Sequence, residues 1–138
     1  MGVRINMKIK KIITNLSLVI GILCLTSTGV QAMSAKANLL NYDGTGIWSW
    51  RSVNDFSLNS SQKVTVFHNQ VRNTASSTTS LNVAVRKYAG IGSTLQFDDN
   101  FKGDSKGSFS GTLSSGKYFL RFESSVRAAK FDIWGSVY

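Results

Sequence analysis

Gly107-Ser108-Phe109-Ser110-Gly111-Thr112-Leu113-Ser114-Ser115-Gly116-Lys117-Tyr118-Phe119-Leu120-Arg121-Phe122-Glu123 contains two alternating runs on either side of Ser114-Ser115-Gly116. Phe109, Gly111 and Leu113 share one side of the first run, and Tyr118, Leu120 and Phe122 share one side of the second. Successive side chains of a strand point to opposite faces, so the pattern predicts two half-buried strands joined as an antiparallel hairpin. On that reading Tyr118, Leu120 and Phe122 seal a core, while Lys117, Phe119, Arg121 and Glu123 face outward.

The same period recurs along the chain. Ile47 to Val53 alternates, with Trp48 and Trp50 on one side and Arg51 on the other, and the two tryptophans are expected in the core. Lys63 to Arg72 places Val64 and Val66 on one face and Thr65, Phe67, Asn69 and Val71 on the other; the pattern leaves either face as the inner one, and a bulge near His68 would switch them. Leu81 to Tyr88 is a clear strand with Leu81, Val83 and Val85 inward. Phe131 to Tyr138 closes the chain with Phe131, Ile133 and Val137 opposite Asp132, Trp134, Ser136 and Tyr138. Tyr42-Asp43-Gly44-Thr45-Gly46 reads as a turn, Asn73 to Ser80 as a polar loop, and Asp98 to Gly107 as the longest turn-rich loop after a short strand at Leu95 and Phe97. No proline is present, so the turns rest on Gly, Asn, Asp and Ser. About eight short strands, with turn signals roughly every 8 to 12 residues, predict an all-β fold: a single antiparallel β-sandwich, jelly-roll or Ig-like.

The first 32 residues follow another logic. Arg4, Lys8, Lys10 and Lys11 precede an apolar run from Ile12 to Leu25, and Val30-Gln31-Ala32 ends the stretch as a small-x-small site. A cationic end, an apolar middle and such a site make a secretory signal peptide, and the run falls short of the roughly 20 residues a bilayer span requires. The expected organisation is therefore a signal peptide at 1–32, an N-terminal leader at 33–45 and the β-sandwich at 46–138. Cleavage after Ala32 reduces the net charge from +9 to +5, leaving 12 basic residues against 7 acidic ones, and removes Cys24, the only cysteine. A mature exported domain without disulfides points to a bacterial, extracellular protein. Its moderate basicity suits anionic envelope polymers, and its singly scattered cations do not suggest a nucleic-acid partner.

Leu81 to Tyr88, Asp98-Asp99-Asn100 and Thr112 to Phe122 together resemble the apolar strand, acidic turn and closing Gly-x-Tyr hairpin of the bacterial pre-peptidase C-terminal domain, with Asp55 to Leu58 as a weaker opening. The resemblance implies a secreted β-sandwich that binds or spaces and does not catalyse. The chain is expected to stand without a catalytic domain, and it has Asn82 where an acidic residue is usual in the family, so calcium binding is not carried over from the resemblance.

His68, Asp98 or Asp99, and Ser105 occur in the order of a hydrolytic triad, and Gly103-Asp104-Ser105-Lys106-Gly107 fits G-x-S-x-G. That motif requires a strand before the serine and a helix after it, whereas a polar loop precedes and a strand follows. No enzyme and no cofactor are expected. Asp98, Asp99 and Asp104 offer oxygen ligands for a hard cation, but their spacing fits no EF-hand and Lys102 and Lys106 oppose the charge, so they form only a weak metal candidate. The candidate ligand-binding residues are Phe119, Arg121, Trp134 and Tyr138, since outward aromatics beside cations hold sugar rings or partner proteins. The expected function is a secreted, non-enzymatic binding module for cell-envelope polysaccharide or a protein partner. The alternative is a basic antibacterial or membrane-active effector, the only reading in which membrane contact enters.

Overall fold

The computed structural model describes residues 36–138, so the expected signal peptide and its cleavage site lie outside the described residues. Nine strands make up the regular structure of the described residues: β1 (Leu40–Ile47), β2 (Ser49–Arg51), β3 (Phe56–Leu58), β4 (Gln62–Arg72), β5 (Ser80–Tyr88), β6 (Ser93–Lys102), β7 (Ser105–Leu113), β8 (Gly116–Ser124) and β9 (Phe131–Val137). They form two antiparallel sheets. The first runs β1-β9-β4-β7; the second runs β2-β8-β5-β6, with β3 also paired to β8. The all-β sandwich expected from the alternation is the fold observed.

The stretch that announced the fold is built differently from its expectation. β7 pairs with β4 in the first sheet, whereas β8 pairs with β2, β3 and β5 in the second. Ser114 and Ser115 thus form an arch that carries the chain from one layer to the other, and no hairpin exists there. Lys87 holds the arch, its Nζ donating to Ser114 Oγ at 2.7 Å and to the Ser115 carbonyl at 2.8 Å. The Tyr118 hydroxyl adds a bond to the Ser114 carbonyl at 2.8 Å. The side of each run expected inside is nevertheless the inner one: Leu113, Tyr118, Leu120 and Phe122 are buried between the sheets.

Two further segments differ from their expectation. Tyr42 to Gly46 is part of β1, and its glycines serve a bulge: the β1–β9 register shifts between Gly44 and Ile47, where Gly46 has a φ of 67°. Asp98, Asp99 and Asn100 lie within β6, which pairs with β5 through to Lys102, so the long loop shrinks to the turn at Gly103 and Asp104. Strand-averse acidic residues are accepted there because β6 is a sheet edge, where charge discourages pairing with another chain.

The core is the contact of the two inner faces. Val64, Val66, Phe131, Ile133 and Val137 from the first sheet meet Leu81, Val83, Val85, Leu120 and Phe122 from the second. Each such side chain contributes about 1.5–3 kcal/mol by leaving water. Gly107 and Gly111 keep their places on β7 by close approach, since a Cβ on either would run into the Phe101 or Phe97 ring of β6. No bulge occurs at His68, because the β4–β7 register is unbroken from Gln62 to Gln70. His68 therefore stays on the inner face with Val64 and Val66.

Candidate functional site

The four residues singled out as one outward face belong to two opposite faces. Phe119 and Arg121 stand on β8 in the second sheet; Trp134 and Tyr138 stand at or beside β9 in the first. The difference arises because the last strand pairs with β1 and β4 and not with the Lys117 to Glu123 strand.

On the outer face of the second sheet, alternation does point Phe119 away from the core, yet it is only 6% exposed. Its cover comes from neighbouring strands. The Arg51 guanidinium lies 4.4 Å from the Phe119 centroid and 5.0 Å from that of Tyr88, whose own ring is 4.9 Å from Phe119. Arg51 is held by Asp55 at 3.1 Å, and the Asp55 carboxylate also accepts from the Tyr88 hydroxyl at 3.0 Å and pairs with Lys117 at 3.3 Å. Asp55 reaches this position because β2 ends at Arg51 and β3 starts at Phe56, both against β8. Ser52 stabilises the gap between them: its amide donates to the Leu120 carbonyl and its hydroxyl accepts from the Leu120 amide. Beyond Phe119, Arg121 donates to Ser49 Oγ and Glu123, and Arg86 donates to the hydroxyl and carbonyl of Ser93. Arg51, Arg86, Ser93, Phe119, Arg121 and Glu123 line a shallow cleft of about 350 Å³.

The outer face of the first sheet has a different chemistry. Trp134 and Phe67 are each 46% exposed, Val71 is exposed as well, and Tyr138 is half-buried with its ring edge-on to Phe67 at 5.8 Å. Register makes them neighbours: Phe67 lies opposite Ser136, Asn69 lies opposite Trp134, and Thr65 exchanges both backbone hydrogen bonds with Tyr138. Around the aromatics stand Asn41, Asp43, Asn69, Lys106, Ser108 and Ser136, on strands adjacent to one another. A groove of about 360 Å³ runs beside Phe67, bordered by Asn69, Lys106, Gly107 and Ser108.

The remaining candidates are placed as follows. Asp98 faces outward from β6 opposite Ala84 and accepts from Asn82, while Asp99, next along the strand, points the other way. Asp104 lies in the β6–β7 turn and grips Arg72, which donates from its backbone amide at 2.7 Å, from Nε at 3.0 Å and from its terminal nitrogen at 3.1 Å. These bonds hold the Asp104 carboxyl below the usual carboxylate range. The three carboxylates are not gathered around one point, and no cluster of metal-ligating side chains occurs among the described residues.

His68 is buried and engaged at both nitrogens, with Tyr42 Oη 2.9 Å from Nδ1 and Gln70 Oε1 3.0 Å from Nε2. Gln70 spends its amide hydrogens on the Phe101 and Gly103 carbonyls, so its oxygen must accept and His68 carries its proton on Nε2. Burial lowers the His68 pKa to about 4 and raises that of the Tyr42 phenol. Ser105 lies opposite Gln70 across the β4–β7 pair, and among the described residues no carboxylate hydrogen-bonds the His68 ring nitrogens. Of the residues in triad order, only His68 belongs to this buried network, which joins it to Tyr42 and Gln70 and not to Ser105, Asp98 or Asp99. Trp50 packs on the core against Phe122 at 5.5 Å as expected, but Trp48 is 39% exposed, because β1 ends at Ile47 and β2 begins only at Ser49.

Sequence reasoning missed Phe67, Arg51, Arg86 and Tyr88 as members of these faces. Alternation marks each as a possible outward residue, but only the strand order brings them together. No protein-family model matches the chain, and comparison with curated proteins yields no match either.

Proposed function

We propose that the protein is a secreted, non-enzymatic binding module whose first-sheet outer face holds a cell-envelope polysaccharide. The observation that supports this most is the exposure of Trp134 and Phe67, with the Tyr138 ring against Phe67, on one sheet surface among amide and hydroxyl side chains and the charged Asp43 and Lys106. Sugar rings present apolar C–H faces and a rim of hydroxyls, so flat aromatics beside hydrogen-bonding side chains match both parts. Secretion is proposed from the layout of residues 1–32, and a relation to pre-peptidase C-terminal domains from Leu81 to Tyr88, since Asp98 to Asn100 lie within a strand and Thr112 to Phe122 crosses between the sheets and is not the hairpin of that resemblance.

The test is co-sedimentation of the mature protein with isolated bacterial cell walls and insoluble glycans, alongside Trp134→Ala and Phe67→Ala. The expected result is retention by the wild type and release of both variants while they remain folded. Equal retention of the folded variants contradicts the assignment. Dye release from anionic vesicles, without wall binding, would favour the antibacterial or membrane-active effector.

A further inference from the structure

The second-sheet cleft has a chemistry that a neutral glycan does not require. Around Phe119 stand four cations, Arg51, Arg86, Lys117 and Arg121, against two carboxylates, Asp55 and Glu123. Asp98, on the same outer face beyond Ala84, is occupied by Asn82. Arg86 donates side-chain hydrogen bonds only to the neutral Ser93 and forms no salt bridge to a carboxylate among the described residues. Each guanidinium has five N–H donors, and the side-chain bonds made by Arg51, Arg86 and Arg121 use only one or two on each.

We infer that the Arg51–Arg86–Arg121 cleft binds a phosphate or phosphodiester group. One arginine fork satisfies a carboxylate, whereas three guanidiniums lining one cleft match an oxyanion with more oxygens and more charge. The site is partly pre-organised. Stacking on Phe119 and the bond to Asp55 fix Arg51, and two bonds to Ser93 fix Arg86, so less side-chain freedom is lost on binding. The Phe119 ring beneath Arg51 excludes water from one side of the guanidinium, which strengthens its bond to an anion. The assignment stands on residues separate from the aromatic face of the first sheet and does not depend on it.

The experiment is a two-dimensional NMR titration of the mature protein with inorganic phosphate, compared with chloride at matched ionic strength. Saturable shifts are expected at the Arg86 and Arg121 Nε–H signals and at the Phe119 amide with phosphate alone. Arg86→Gln should weaken binding about tenfold, the factor carried by one charge-assisted hydrogen bond. Because Arg86 also ties β5 to Ser93, Arg121→Gln provides the same reading if Arg86→Gln does not fold. Trp134→Ala should leave the titration unchanged, which separates failure of this site from failure of the glycan face. Sedimentation with phosphatidylglycerol and phosphatidylcholine vesicles then identifies the source. Retention by the anionic vesicles alone, lost in Arg121→Gln, assigns the group to a lipid headgroup; saturable phosphate shifts without retention assign it to a soluble or polymer-borne phosphate. Absent shifts, equal shifts with chloride, or undiminished affinity in both folded arginine variants overturn the inference.

Discussion

The outer faces of the two sheets each present aromatic side chains, yet Trp134 on one is 46% exposed and Phe119 on the other only 6%. Both obey the same alternation, so strand periodicity alone does not decide which aromatic meets water. The neighbours across the sheet decide it. Phe119 is roofed by Arg51, itself anchored by Asp55, and flanked by Tyr88. Trp134 has Asn69 and Asp43 opposite it on the adjoining strands. An outward aromatic under a cation is a structural element with a charged surface; an outward aromatic among short polar side chains is an open platform.

Truncation should separate the two most widely. Phe119→Ala removes a buried ring and is expected to lower unfolding free energy by about 3–4 kcal/mol in urea titrations, whereas Trp134→Ala should cost less than about 1 kcal/mol. Similar losses in both would erase the distinction. The interior beneath the two faces supplies the next effect in size. Unfolded His68 takes its proton near pH 6.5, while in the fold it resists protonation to about 4. Between those values the unfolded state binds more protons, so stability is complete above the upper one and falls as pH drops toward the lower. The loss should reach about 3 kcal/mol and then level off. Urea midpoints of wild type and His68→Gln at several pH values measure it. Only the wild type should show this increment beyond the general acid response, and parallel profiles would remove His68 from the account. Arg51→Ala comes last, at about 1 kcal/mol from lost cation–π contact and cover, with Phe119 becoming solvent-accessible. An unchanged Phe119 would mean that Arg51 does not protect it.

Local period made the strands readable, and it made their partners unreadable. Tyr118, Leu120 and Phe122 are inward as their spacing predicts, but Ser114-Ser115-Gly116 suits both a tight hairpin and an arch between sheets. The choice falls to β4 and β5, distant in sequence, which take β7 and β8 into separate layers. Long-range pairing likewise overrides turn chemistry at Asp98 to Asn100, which become strand because β5 offers β6 a partner and β6, as the sheet edge, tolerates charge. It also separates Arg121 from Trp134, two residues whose outward orientation was legible and whose separation was not. The His68 network lay further from view. A histidine and a glutamine in step with Val64 and Val66 signal inward polar residues, but their partner Tyr42 comes from a segment whose glycines resemble a turn.

Hydroxyl-radical footprinting of the free and wall-bound protein tests the contrast between the faces most directly. Trp134, Phe67 and Tyr138 should be oxidised in the free protein and protected on wall binding, with Phe119 unreactive in both states. Oxidation of Phe119 at the rate of Trp134, or protection that spares the Trp134 face, would contradict it.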